Sequence, residues 1–239
     1  MLKAILVGLV LVIGANSALA DSRRDCEQEN DHDLRIRACG DIIGGDGRAA
    51  WAYHSRGDAY QDKGDLDRAI ADYTRAIAIN PQYTDAYNNR GVAYQRKGVH
   101  DPAIADHTRA IEIDPGLAVA YLNRGYAYHR KIDHDRAIAD YTRAIEINPQ
   151  YADAYNSRGK AYYSKGDFDR AIADYKAAIK IEPREPLHYD DRSLAYMEKR
   201  DFDRAIADAT TAIEISPQYA SAYNTRGVVT GSRAITTAP

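Results

Sequence analysis

A 34-residue unit repeats along most of this chain, and that period constrains the fold more than any other feature. A proline marks each recurrence, at Pro81, Pro115, Pro149, Pro183 and Pro217. This register defines five full copies, which are residues 50–83, 84–117, 118–151, 152–185 and 186–219. A fixed period of about 20 to 50 residues is typical of proteins that stack one small structural unit many times.

The aligned copies share small and aromatic positions. One column is glycine in four copies and serine in the fifth: Gly57, Gly91, Gly125, Gly159 and Ser193. A later column is aromatic in four copies: Tyr73, His107, Tyr141 and Tyr175. Within a copy the apolar residues are spaced by three, four and seven, which predicts two amphipathic helices. Small residues allow two helices to approach closely and large rings fill the space beside the contact, so each copy is predicted to be a helical hairpin.

The turn between the two helices has its own signals. Lys63-Gly64-Asp65 and Lys165-Gly166-Asp167 each combine a glycine that can end a helix in the left-handed region with an aspartate that can cap the next helix. A short, tight connection is therefore expected inside each copy.

This pattern resembles the tetratricopeptide repeat, and the resemblance covers five full copies. It implies an all-α fold, a right-handed superhelical solenoid of helical hairpins whose first helices line a concave groove. It also implies a groove that holds a peptide or another protein, without catalysis. No cofactor or metal is expected from the motifs in the sequence.

The resemblance places candidate groove residues on the first helix of each copy. They vary between copies while the glycine, alanine and tyrosine columns stay fixed, as expected of a binding face and equally of an unconstrained solvated face. The selected residues are Trp51, His54, Asp58, Asn88, Gln95, Leu122, Tyr126, His129, Asn156, Lys160, Tyr163 and Asp190. Their mixture of aromatic, apolar and amide groups suits an extended or helical peptide segment.

An arginine column departs from the family pattern, which usually has an aliphatic residue just before the glycine. It comprises Arg56, Arg90, Arg124, Arg158, Arg192 and Arg226. Each full copy also carries an aspartate in its second helix: Asp72, Asp106, Asp140, Asp174 and Asp208. These columns suggest a ladder of Arg–Asp contacts, although each aspartate could instead pair locally, as Asp72 could with Arg68 or Arg75.

Residues 1–20 read as a secretory signal peptide. Lys3 precedes an apolar run, and Asn16-Ser17-Ala18-Leu19-Ala20 has the small-residue pattern of a cleavage site before Asp21. An uncleaved signal anchor is the alternative, but the run is short for a membrane span. The sequence therefore predicts a secreted, periplasmic protein with no membrane insertion after cleavage.

The two cysteines, Cys26 and Cys39, gain meaning from that compartment because disulfides persist there. Shifting the repeat register back by one period places them under Tyr60 and Tyr73, two columns that face each other across a hairpin. Residues 21–47 are therefore expected to be a disulfide-linked cap half-repeat, with Gly44-Gly45-Asp46-Gly47 as its linker. Metal binding by both cysteines and His32 is the rival interpretation.

Residues 220–239 contain a partial sixth repeat and a tail. The first-helix pattern reaches Arg226-Gly227, and no second helix follows in the sequence. The half-repeat is expected either to leave apolar surface for a partner or for self-association, or to fray into a disordered tail.

Composition and motifs narrow the function. The formal net charge of -3 gives no reason to expect nucleic acid or an anionic membrane as a partner. No phosphate-binding loop, nucleophile elbow or zinc-helix motif is present in the sequence. Two functions remain: a non-enzymatic scaffold or adaptor that binds other proteins or peptides in the cell envelope, and a regulatory or recruiting subunit of an enzyme complex or a structural homo-oligomer.

Overall fold

The structure, a computed structural model, describes residues 21–28 and 30–237. The expected signal peptide lies outside these residues. Within them the chain is helical, with a helical segment at 21–27 followed by twelve helices and no strand. These are α1 (His32–Gly45), α2 (Ala50–Asp62), α3 (Leu66–Ile79), α4 (Thr84–Arg96), α5 (His100–Ile113), α6 (Ala118–Arg130), α7 (His134–Ile147), α8 (Ala152–Ser164), α9 (Phe168–Ile181), α10 (Pro186–Glu198), α11 (Phe202–Ile215) and α12 (Ala220–Thr237).

The described helices divide between two compact units, with the boundary after Pro115. The first unit contains the cap and two helical hairpins, α2–α3 and α4–α5. The second contains three hairpins, α6–α7, α8–α9 and α10–α11, and the single helix α12. The predicted all-α fold of stacked helical hairpins is confirmed.

The packing inside each unit gives it an inner and an outer face. The two helices of a hairpin pack together, and neighbouring first helices also touch, as in α2 with α4, α6 with α8, and α8 with α10. Within either unit, no two second helices are in contact among the residues that the structure describes. Since only the first helices adjoin, they form the inner face of each unit.

The two helices of a hairpin approach closely at the glycine column. A Cβ added to Gly57 would stand 2.7 Å from Cε1 of Tyr73, and one added to Gly91 would stand 2.6 Å from the ring of His107. Such distances are shorter than van der Waals contact, so no side chain fits at these glycines. The predicted pairing of a small residue with a large ring is confirmed.

The fifth hairpin reaches the same close packing with different residues. Ser193 replaces the glycine and is fully buried, and its hydroxyl donates to the carbonyl oxygen of Ala205 at 2.7 Å. Ala209 stands where the other copies have an aromatic ring, and it too is fully buried. The smaller partner leaves room for the serine side chain, so the serine does not open this hairpin.

The N-terminal cap is closed by an internal disulfide and packs on the first helix of the first hairpin. Cys26 and Cys39 are bonded, with their Cα atoms 4.8 Å apart, and both are fully buried. The hydroxyl of Ser55 on α2 donates to the Cys26 carbonyl oxygen at 2.6 Å, which ties the cap to the repeat. The predicted disulfide is confirmed, and it takes up both thiols that the rival metal site would have used.

Two expectations at the ends of the repeat region need correction. Helix α1 continues to Gly45, so the first two glycines of the expected linker are helical and the connection begins at Asp46. Helix α12 runs without interruption to Thr237, so the residues after Gly227 extend the helix. Its side chain Val229 is fully buried in a cluster with Ala205 and Tyr196, which anchors the helix.

The turns inside the hairpins use left-handed backbone. Gly64, Gly98 and Gly166 have φ values of 80°, 77° and 76°. The same turn position holds Ile132 in the third hairpin and Arg200 in the fifth, with φ values of 64° and 60°. A β-branched residue is disfavoured in this region because its Cβ crowds the backbone. Ile132 is also 79% exposed, so no burial of its side chain offsets the strain.

We therefore expect Ile132→Gly to stabilise the second unit. Relief of left-handed strain is worth about 1–3 kcal/mol, and the greater backbone entropy of glycine in the unfolded chain offsets about 1 kcal/mol of it. Urea unfolding followed by circular dichroism should show a net gain of about 1 kcal/mol. Gly166→Ile, the reverse change in the next hairpin, serves as the control and should destabilise. A lower midpoint for Ile132→Gly would contradict the strain argument.

Candidate binding face of the first helices

A partly buried ion pair joins the first helix to the second helix in every full hairpin. The arginine before the glycine column donates two hydrogen bonds of 2.7–2.8 Å to the aspartate sixteen residues later. The pairs are Arg56–Asp72, Arg90–Asp106, Arg124–Asp140, Arg158–Asp174 and Arg192–Asp208. Each pair lies within one hairpin, so the Arg–Asp ladder predicted from the sequence is present.

The local alternative for these aspartates is wrong. Arg68 pairs with Asp65, the aspartate that caps α3, and not with Asp72. The bidentate geometry at Asp72 fixes both the rotation and the register of α2 against α3, because a planar guanidinium meets a carboxylate in few orientations.

In the first unit, Asp58 is the centre of a polar network on the inner face. Its carboxylate accepts from the Tyr73 hydroxyl at 2.8 Å, from Asn89 Nδ2 at 3.0 Å and from Arg35 Nη2 at 3.3 Å. The His54 ring lies between them, with its Nδ1 3.4 Å from the Asp58 carboxylate. The network joins the cap, the first hairpin and the second hairpin through one carboxylate.

The surroundings of Tyr73 keep its hydroxyl group neutral. Burial, together with the negative charge of Asp58, raises the pKa of Tyr73 far above its ordinary value. Tyr73 therefore stays a neutral hydroxyl donor to Asp58 at any physiological pH. The inner face here carries a fixed arrangement of hydrogen-bonding groups.

In the second unit, Asp191 plays a similar part between α8 and α10. Its carboxylate accepts from Asn156 Nδ2 at 2.8 Å and lies 3.1 Å from the ammonium group of Lys160. Burial raises the pKa of Asp191, and the Lys160 charge opposes that shift. Because the ammonium group of Lys160 lies at the edge of this network, with 39% of its side chain exposed, it can also meet a ligand.

Three of the predicted groove residues are almost fully buried. Asn88, Asn156 and Asp190 are 9%, 5% and 3% exposed, because their position on the first helix faces the neighbouring hairpin. Asp190 accepts from the Ser221 hydroxyl of α12 at 2.5 Å. These residues lie beneath the inner face, between neighbouring hairpins, and a ligand on that face would not reach them directly.

Two further predicted residues belong to the packing. Trp51 packs against the cap cluster that contains Cys26 and Cys39, with the Arg23 guanidinium 5.0 Å above its ring. Leu122 packs against Tyr141 and its neighbours in the second unit. Both are half-buried, so part of each side chain remains on the surface.

The remaining predicted residues keep accessible surface on the inner face. Tyr126 is 46% exposed. His129 is half-buried and meets His134, with the two Nδ1 atoms 3.2 Å apart, and burial followed by the charge of His134 lowers the His129 pKa. Tyr163 donates to Glu198 at 3.3 Å, and its ring meets Phe168 edge-on. His54, Asp58 and Lys160 belong to the polar networks of the inner face, and Gln95 is half-buried.

Sequence reasoning missed Asn89 and Asp191. Both lie on the first helix one residue after a predicted groove position, where the side chain turns toward the preceding first helix. The doublets Asn88-Asn89 and Asp190-Asp191 were the available signal, since a second polar residue at a helix–helix contact requires a partner.

No helix in the part of the chain that the structure describes is both long and apolar enough to cross a membrane. Within the same residues, no three side chains among His, Cys, Asp and Glu are grouped as metal ligands.

The ion pairs can be tested with a double-mutant cycle on Arg158 and Asp174. Removing one partner leaves the other charge buried and unpaired, which should destabilise by about 3 kcal/mol. The double variant should cost clearly less than the sum of the two single variants. A second cycle, on Arg158 with Asp140 of the preceding hairpin, is the control and should be additive within about 0.5 kcal/mol. Additivity in both cycles would show that the ion pair does not couple the helices.

Comparison with known proteins agrees with this geometry. Models of the tetratricopeptide repeat match residues 57–98 and 133–166, residues 152–185, and residues 84–117 and 189–219. The crystal structure of the MamA protein is 32% identical, covers 73% of this chain and 95% of its own, and superposes with a TM-score of 0.64. No curated protein matches the sequence.

More distant solved structures share the fold. YrrB, described as a TPR protein with an unusual peptide-binding site, is 20% identical over 80% of this chain and 99% of its own, with a TM-score of 0.64. A tetratricopeptide repeat protein from Parabacteroides merdae ATCC 43184 is 19% identical over 92% of this chain and 86% of its own, with a TM-score of 0.76. From the repeat register, the helical hairpins and these matches together, the chain belongs to the tetratricopeptide repeat family.

Proposed function

We propose that this protein is a non-enzymatic scaffold that holds a peptide or protein segment on the inner face of its first helices. Tetratricopeptide repeat proteins are generally non-enzymatic interaction modules, and the chain matches no catalytic family. The accessible side chains of the second unit indicate where the segment binds. Tyr126, an exposed large aromatic residue, lies on the inner face of the unit in which Asn156, Asp191 and Lys160 form a fixed polar network.

Tyr126 and Lys160 occupy the same position on the consecutive first helices α6 and α8, which are in contact. An exposed tyrosine supplies a large contact area with a hydroxyl that can hydrogen-bond, and tyrosine is common among residues that dominate binding energy. Lys160 adds a cation whose neighbours are already ordered. The pair therefore suits a peptide that presents an apolar side chain and a nearby carbonyl or carboxylate group.

We further propose that the protein works outside the cytoplasm, in the cell envelope. The pattern of residues 1–20 supports export, and the buried Cys26–Cys39 disulfide supports an oxidising compartment.

Site-specific photo-crosslinking in the native cells tests the binding face. A photoreactive amino acid at position 126 should capture a defined partner. The same amino acid at Arg143, a similarly exposed position on the second helix α7, is the matched control and should not. The variant Tyr126→Ala should weaken capture from a crosslinker at position 163 by about tenfold. Equal capture from positions 126 and 143, or capture unaffected by Tyr126→Ala, would contradict the proposed face.

The compartment is tested on the purified mature protein. Its N-terminus should be Asp21, and alkylation without prior reduction should label neither cysteine. Replacing both cysteines with serine should lower stability by about 3 kcal/mol, because the bond closes a short loop in the unfolded chain. A mature chain that begins at Met1, or one with two free thiols, would contradict export.

A further inference from the structure

Helix α12 has the register and the contacts of a first helix. It packs against α11 and α10, as other first helices pack against the hairpin before them. The Arg226 guanidinium lies 5.5 Å over the Tyr223 ring, and the equivalent arginine and tyrosine of each full hairpin are 5.7 Å apart. Arg233 pairs with Asp203 at 3.0 Å, the position at which Lys199 pairs with Asp169 one repeat earlier.

In the full hairpins the second helix supplies two groups to the side of the first helix that carries the arginine and the glycine. An aspartate binds the arginine with two hydrogen bonds, as Asp174 binds Arg158 at 2.8 Å. In four of the five hairpins, an aromatic ring directly after the aspartate fills the notch at the glycine, as Tyr175 does at Gly159. These two contacts define which helix can pack there.

Both groups are missing at α12. Within the described residues Arg226 forms no ion pair, and a Cβ added to Gly227 would meet nothing within 4 Å. Tyr223 is 46% exposed, whereas the corresponding tyrosines of the full hairpins are half-buried. Helix α12 also continues past the position at which the other first helices end, so the tight turn does not form.

We propose that α12 is a docking surface for a helix of another polypeptide, one that completes the sixth hairpin. The charge of Arg226 and the open notch at Gly227 define the ligand. It is an amphipathic helix with an aspartate for Arg226, directly followed by tyrosine or histidine for the notch at Gly227. Alanines three residues before the aspartate and three residues after the ring allow the close approach, as Ala171 and Ala178 do around Asp174-Tyr175.

A second copy of this chain does not fit the surface. The helices that carry an aspartate followed by a ring are already packed inside their own hairpins. Helix α1 has Ala38-Cys39 at that register and α11 has Asp208-Ala209, so neither offers both groups. Pairing of two α12 helices would bring one Arg226 near another, which is unfavourable. The surface therefore points to a different protein, and it is separate from the inner face proposed above.

The probe is a capped, fluorescent peptide with the sequence of residues 134–147, which carries Asp140 and Tyr141. Fluorescence anisotropy should show saturable binding to the full mature protein. Because an isolated helix of this length forms only marginally, the titration must reach high protein concentration. Peptides with Asp140→Asn or Tyr141→Ala should bind about tenfold more weakly or not at all.

Variants of the protein locate the site. Arg226→Met and Gly227→Leu should each weaken binding by about tenfold, the first through the lost ion pair and the second by filling the notch. Val228→Ala is the control, because this side chain is 48% exposed on the same helix at the position equivalent to Lys160, toward the inner face, and it should leave the affinity unchanged. Arg226→Glu should regain affinity for a peptide with Asp140→Arg. Circular dichroism must show the same helix content in every variant.

Three results would each overturn the proposal. They are no saturable binding to the wild-type protein, equal binding to the Arg226→Met and wild-type proteins, and photo-crosslinks from the peptide to helices other than α12. The last result would show that the peptide displaces its own counterpart α7 from a hairpin. The peptide assay does not involve Tyr126, so its failure would leave the proposed inner binding face untouched.

Discussion

The close contact between the two helices of a hairpin is the constraint on which the rest of this structure depends. It is set at one residue, the glycine of the first helix, where the ring from the second helix occupies the space that a Cβ would need. At that distance even one added methyl group forces a shift in well-packed atoms. The fifth hairpin follows the same size constraint, since the larger Ser193 is accompanied by the smaller Ala209 in place of a ring.

The Arg–Asp pair is formed by the arginine next to this glycine, and it orients the two helices. A partly buried ion pair adds little net stability, because desolvation of both charges offsets their attraction. Its value lies in geometry, since two short hydrogen bonds to one carboxylate fix the rotation and the register of one helix against the other. An aliphatic residue at the same position could slide along its neighbour. The hairpins of this chain therefore share one geometry despite their different outer residues.

That regular frame determines what the inner face can offer. Within each unit neighbouring first helices touch, so part of each helix packs against the next hairpin, and polar residues there bind one another. Asp58 and Asp191 are the clearest cases, each binding groups from an adjacent hairpin. Only side chains that point beyond these contacts, such as Tyr126 and Lys160, remain accessible to a partner. The binding face is thus narrower than the full set of variable positions.

Spacing that recurs with the period was enough to predict the helical hairpins, their register and the small-to-large pairing. The Cys26–Cys39 disulfide was predicted from the same register shifted back by one period together with the expected export, with a metal site as the rival. The sequence also indicated the Arg–Asp pairs, since both columns are fixed in all five copies. The three-dimensional packing was needed to show which first-helix residues are buried between hairpins and that Asn89 and Asp191 complete the polar networks. It also shows that, among the described residues, α12 continues as a helix, with no carboxylate bound to Arg226 and no ring in the notch at Gly227. The physical reason is that burial and pairing across hairpins depend on how closely neighbouring units approach, and that distance cannot be read from the spacing within one unit.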